Sequence, residues 1–451
     1  MEGENQPLLT MLLYAKEKSP RLLYVIDFLN KEMFYDELQW TDDTTRFLQA
    51  APPKINYSES RIAGDEFHIV PVSLLFEDDI HEQDIRCFDW DSQKAFYATG
   101  PASLPFDILS AIFYLISRYE EYLPHQTDMY GRYAHTQSLA FREGFLDQPL
   151  VNNWLLKWEK MLLDFFPGLL FRRKSFSFIP TYDIDMMYSY KGKPWWVNTA
   201  GFCRSLWKGD VDGAWQRLRV LQNEEKDPYD AYEWLDALHL YCRSKPVYFF
   251  LVAQRPQGYD KNLPTHTPGF QELIRYCAVA YKIGIHPSWQ SSVSANGRLL
   301  KEELEWLEAV ADVPIAKSRQ HYIRFTLPLH YERLLAQNVT QDYSMGYGSI
   351  NGFRASVCSS YNWFNLAKNE ATDLVIYPFC FMDANAYYEE KLTPAQAYAQ
   401  LKQYYRAVQK VQGCLITIWH NNFLGTAAEF AEWRALYEIF MKEDIFWDAG
   451  S

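Results

Sequence analysis

The chain lacks the marks of several large protein classes. It has only seven cysteines in 451 residues (Cys87, Cys203, Cys242, Cys277, Cys358, Cys380 and Cys414), and no two have CxxC spacing. That argues against a disulfide framework or a thiolate zinc site, and for a reducing compartment. No run of about 18 apolar residues occurs, so no membrane span is expected. There is no basic run either: 44 Lys and Arg stand against 57 Asp and Glu, a net charge of −13. This balance disfavours nucleic acid and anionic lipid as partners of the chain as a whole. The first residues, MEGENQPLLTMLLYAKEKSPR, have neither the charged nor the apolar segment of a signal peptide, so a cytoplasmic protein is expected. Neither GxGxxG nor GxxxxGK[ST] follows the first strand of the alternating region described below, which removes the commonest nucleotide-binding readings. No internal repeat is found.

What the chain does have is aromatic side chains: 15 Trp, 32 Tyr and 29 Phe, or 17% of the residues. Beyond filling a core, these suit flat, partly apolar ligands such as sugar rings. The length predicts more than one domain, with a boundary in FPGLLFRRKSF (Phe166–Phe176). Residues 1–172 read as a mixed α/β domain. Its elements are two short amphipathic pieces over 5–17 and 20–32, a strand over 68–75, and helices over 104–122 and 151–166. The string SRYEEY (Ser117–Tyr122) reads as a solvated helix end with paired charges.

Residues 173–451 alternate strand and helix, the pattern of a parallel sheet with crossover helices, either open or closed into a barrel. Strands are expected over 176–182, 245–253, 283–286, 315–325, 373–381 and 414–420. Active residues collect at the C-terminal ends of parallel strands. The polar residues there are Asp183 and Asp185 in TYDID, His286 in GIHPSW, Arg354 in GFRAS at the end of the 343–354 region, Asp383 in FMDAN and His420 in ITIWH, with His321 inside the fourth strand in SRQHYIRF. Asp183 and Asp185 are two apart and project to one face of a strand. Two carboxylates so close repel unless a cation or a proton intervenes. One Asp with two neutral imidazoles, His286 and His321, makes the facial ligand set of a hydrolytic metal centre. His420, closing a buried strand at the same rim, suits acid–base work.

From about Phe176 to Leu424 the chain resembles the polysaccharide deacetylases, the NodB homology domain of carbohydrate esterase family four. TYDID, GIHPSW, GFRAS and ITIWH stand, in order, where that family has its T-F-D-D, His-containing, Arg-bearing and L-x-H motifs. The chain departs from the pattern where Ile184 separates the aspartates and where Gln290 stands four residues after His286 in place of a second His. His321 is the expected substitute. The resemblance implies a distorted (β/α) barrel, preceded here by an accessory domain. It also implies a divalent ion, zinc above all, and removal of N- or O-acetyl groups from a carbohydrate.

On that reading Asp185, His286 and His321 hold the metal, and Asp183 accepts a proton from the attacking water. His420 protonates the leaving group, Arg354 pairs with Asp183, and Asp383 orients His420. Trp289, Trp195 and Trp196 are sugar-stacking or core residues. The stretch over 191–227 is an insertion that covers or extends the site. Two other readings stay open: a metal-free carbohydrate-binding relative, and a hydrolase of small non-sugar amides.

Overall fold

The computed structural model describes residues 11–35, 37–294 and 296–443. The first sheet is built from β1 (Met11–Ala15), β2 (Leu38–Thr41), β3 (Lys54–Tyr57) and β4 (Phe67–Ile69). It is parallel, in the order β2-β1-β3-β4. All of β1 is buried. Its continuous apolar run MLLYA suits a strand covered on both faces, in place of the amphipathic piece expected over 5–17, of which 5–10 lie outside the described residues. Strand β4 also stops short of the expected 68–75, because a 3₁₀ turn takes Ser73–Phe76. A small hairpin follows, β5 (Phe88–Trp90) and β6 (Gln93–Ala95). Its two turn residues, Asp91 and Ser92, have φ of 48° and 66°, as a tight hairpin turn requires.

The central helix of this half is Ile108–Ile116, shorter than the sequence suggests and buried at every position. Asp107 caps it by accepting from the N–H groups of Leu109 and Ser110, each at 3.1 Å. It ends at Arg118, whose φ of 56° is left-handed.

The second sheet has nine strands. They are β7 (Ser177–Ile184), β8 (Val247–Leu251), β9 (Lys282–His286), β10 (Lys317–Ser318), β11 (Gln341–Asp342), β12 (Tyr361–Asn365), β13 (Glu370–Ile376), β14 (Phe381–Met382) and β15 (Cys414–His420). Their order is β12-β13-β11-β10-β9-β8-β7-β15-β14. All pairs are parallel except β12 with β13. The expected strand over 373–381 divides into β13 and β14. Between them Tyr377 and Phe379 donate to the carbonyls of Asp342 and Met345, and Cys380 donates to Ile416. The chain thus passes from beside β11 to beside β15. Gly284 in β9 is required by close packing: a Cβ there would lie 2.6 Å from the Phe249 ring and 2.9 Å from the Lys317 carbonyl.

One apolar core runs through both halves. Phe364 of β12 packs on Tyr24 and Phe113, with ring centroids at 5.0 and 5.1 Å. The SRYEEY string corrects the sequence reading, because Arg118, Glu120 and Glu121 are buried instead of solvated. Glu121 accepts from Arg118 Nε at 2.7 Å and from Arg354 Nε and Nη2 at 2.8 and 2.6 Å. Arg118 also donates to Glu120 at 2.9 Å and to the Arg354 carbonyl.

Candidate metal centre

Parallel strands deliver polar residues to one rim. Strand β7 carries Asp183 and leads directly into Asp185, and β9 ends on His286. The chain leaving β10 carries Arg319 and then His321, and β15 ends on His420. Asp383 follows β14, and Asp260 lies in the loop after β8.

The imidazoles are held from behind. His286 Nδ1 lies 2.6 Å from the Arg319 carbonyl, so it donates there. That leaves Nε2 facing Asp185 Oδ1 at 3.2 Å and Asp183 Oδ2 at 3.8 Å. His321 Nδ1 lies 3.0 Å from Asp260 Oδ1, and its Nε2 lies 3.6 Å from Asp185 Oδ2. Donor atoms of Asp185, His286 and His321 all lie within 4.8 Å of one another. With both Nδ1 atoms acting as donors, a neutral Nε2 presents a lone pair to a carboxylate. Asp185 Oδ1 is buried and makes no hydrogen bond. Lone pairs converging in this way need a cation or extra protons between them. The protonation tendencies point the same way. Burial pushes the Asp185 carboxyl up, but His321 and His286 outweigh it and hold it well below the usual carboxylate range. Burial pushes His321 down, but Asp185 and Asp260 outweigh it and raise it to about 9. Two imidazoles and a carboxylate, each imidazole fixed through its other nitrogen, fit a divalent ion such as zinc.

Asp183 is buried beside this group and accepts from Arg319 Nη1 at 2.8 Å. Here the structure corrects the sequence reading: Arg319, not Arg354, pairs with Asp183. Arg354 is spent on Glu121 and on the Gly346 carbonyl, 3.0 Å away. Arg319 is fully buried, donates to the Tyr343 carbonyl at 3.1 Å and stacks 4.4 Å from the Phe249 ring.

His420 faces the cluster from β15, with Nε2 3.8 Å from Asp185 Oδ2. Its Nδ1 lies 2.6 Å from Asp383 Oδ1, and its backbone N–H donates to Asp383 Oδ2 at 2.7 Å. Burial pushes this imidazole down, but Asp383, with Asp185 and Asp183 beyond it, raises it to about 10.

Sequence reasoning missed Asp260. Besides holding His321, it accepts from the backbone N–H groups of Trp289 and Gln290 at 2.7 and 3.3 Å. It therefore ties the turn after His286, where Gln290 stands, to His321. Asp260→Asn should lower metal affinity by about 10–100-fold, the usual effect of losing such a support. Competition with a chelating dye measures it, and unchanged affinity would refute the role. Glu303 supports the same turn by accepting from Ser288 N–H at 3.0 Å. Burial pushes its carboxyl up to about 7. A raised value means the folded state favours the proton, so the cost of ionisation is absent below about pH 4.5 and complete above about pH 7. Glu303→Gln should therefore raise stability at pH 8 by up to about 3 kcal/mol relative to wild type, and by much less at pH 4.5. Urea unfolding at both pH values tests this, and an equal effect at both would contradict it.

His321 is not in a strand, as expected over 315–325, but in a turn after the two-residue β10. Tyr322 and Ile323, next to it, have φ of 58° and 53°, a strained backbone of the kind found at functional sites. Tyr322 belongs to an aromatic group with Tyr130, Tyr259 and Trp289. The Tyr259 and Trp289 rings are 4.4 Å apart, and Tyr322 lies 4.8 Å from the His321 ring. Tyr130 comes from the first half of the chain and is 5.4 Å from Tyr322. Trp195 and Trp196 instead begin an exposed helix, Trp195–Trp207.

Residues 11–167 match DUF7033, a family of unknown function. No curated protein matches the chain. Among solved structures, the chain is similar to one described as "putative polysaccharide deacetylase from Mycobacterium smegmatis". The two are 16% identical over 60% of this chain and 85% of that one, with a TM-score of 0.38. That likeness is too loose to carry an argument about the site.

Proposed function

We propose that the chain is a metal-dependent hydrolase that removes N- or O-linked acetyl groups from a carbohydrate, on a sheet curved into a distorted (β/α) barrel. The observation that carries this reading is the convergence of Asp185, His286 and His321, with Asp183 on one side and His420 on the other. The passage of the chain from β11 to β15 through residues 377–380 supports the barrel. Asp185, His286 and His321 hold the cation, which when bound supplies the Lewis acidity that activates water near neutral pH. Asp183, fixed through Oδ1 by Arg319, accepts a proton from the attacking water at Oδ2. His420 carries a proton at Nε2, held there by Asp383, and gives it to the leaving amine or alkoxide as the bond to the acetyl carbon breaks. Acetate and the free sugar amine or hydroxyl are the products. The aromatic group at Tyr130, Tyr259, Trp289 and Tyr322 offers faces for sugar rings.

Acetate release from N-acetylated and O-acetylated oligosaccharides, with and without added zinc, tests the reading. Metal-dependent release supports it. Release from small amides alone would replace the substrate class, and metal-loaded protein that binds sugar without turnover would replace the enzyme by a binding protein.

A further inference from the structure

The first two of the three helices between β7 and β8 are Trp195–Trp207 and Val211–Leu221. They hold all four of the exposed tryptophans found among the described residues: Trp195, Trp196, Trp207 and Trp215, at 76, 60, 87 and 53% exposure. Leu206, Val211 and Leu221 are exposed on the same two helices. A patch of this kind in water marks an interaction surface. Its charge identifies the partner. The stretch over 191–227 contains seven Lys and Arg against five Asp and Glu, a positive local balance in a protein whose net charge is −13. Among the described residues, Lys191, Arg204 and Lys208 have no ion pair, while Arg219 is paired with Glu225 at 2.9 Å. Exposed tryptophans with unpaired cations are the composition of helices that lie in a membrane interface. A second copy docking by the same patch would set these cations against each other.

We infer that the two helices dock the protein on an anionic bilayer surface. The first of these helices begins in the chain that follows β7 and Asp185. The inference stands on the patch alone and does not depend on the hydrolase reading.

The test is flotation of the full chain with phosphatidylglycerol–phosphatidylcholine vesicles and with pure phosphatidylcholine vesicles. The expected result is binding to the anionic vesicles, weakened by high salt, and little binding to the neutral ones. Trp195→Ser/Trp207→Ser should reduce partitioning by about tenfold or more. Val279→Ser, at another site 90% exposed, should leave it unchanged. All these side chains are exposed, and matching thermal melts establish that the variants fold. The inference is overturned if wild type floats with neither vesicle, if the double variant floats as wild type does, or if the tryptophans instead mediate self-association without lipid.

Discussion

Asp183→Asn is expected to lower kcat by about 10²–10⁴-fold, the contribution of a general base, while metal content stays that of wild type. Asparagine keeps an oxygen to accept from Arg319, which lies 2.8 Å from Asp183 Oδ1, but it cannot take a proton from water. Asp183 makes no part of the triad of donor atoms formed by Asp185, His286 and His321, so ligand loss does not explain a loss of rate. The substitution does remove the charge that faces the buried Arg319 guanidinium, so thermal melting must accompany the kinetics, and rates are compared where both proteins are folded. Activity within about tenfold of wild type would remove Asp183 as the base.

Glu121→Ala is expected to cost about 3–5 kcal/mol of stability, as breaking a buried ion pair does. The substitution leaves two buried guanidiniums, Arg118 and Arg354, without their shared carboxylate. Burial pushes Glu121 up, but Arg354 and Arg118 outweigh it and lower it to about 2. A depressed value contributes stability that is present above about pH 4.5 and is lost as the pH falls toward 2. Wild type should therefore lose stability over that range more steeply than the variant. Urea unfolding at pH 7, pH 4.5 and pH 3 measures both effects. A cost below about 1 kcal/mol at pH 7 would show that the two halves do not depend on this node.

Parts of this arrangement are legible in the sequence. CLITIWH is an apolar run that ends in a polar residue, and β15 (Cys414–His420) has those limits. Asp185, His286 and His321 come together although each is a lone residue in its own segment. What is not legible depends on distant contacts. His321 sits in a turn because Tyr322 and Ile323 take left-handed backbone, which alternation of polar and apolar residues does not reveal. Arg319 stands two residues before His321, but nothing local separates it from Arg354 as the partner of Asp183. SRYEEY looks like a solvated helix end because its partner Arg354 lies 233 residues away from Glu121. Asp260, in the loop GYDKN, carries no local signal at all.

The most direct measurement is the metal content of purified wild type, His286→Ala and His321→Ala by elemental analysis after reconstitution with zinc. About one ion per chain in wild type, lost in both variants, is the expected result for a centre built from Asp185, His286 and His321. Wild type that takes up no metal, or both variants that keep it, would contradict the centre.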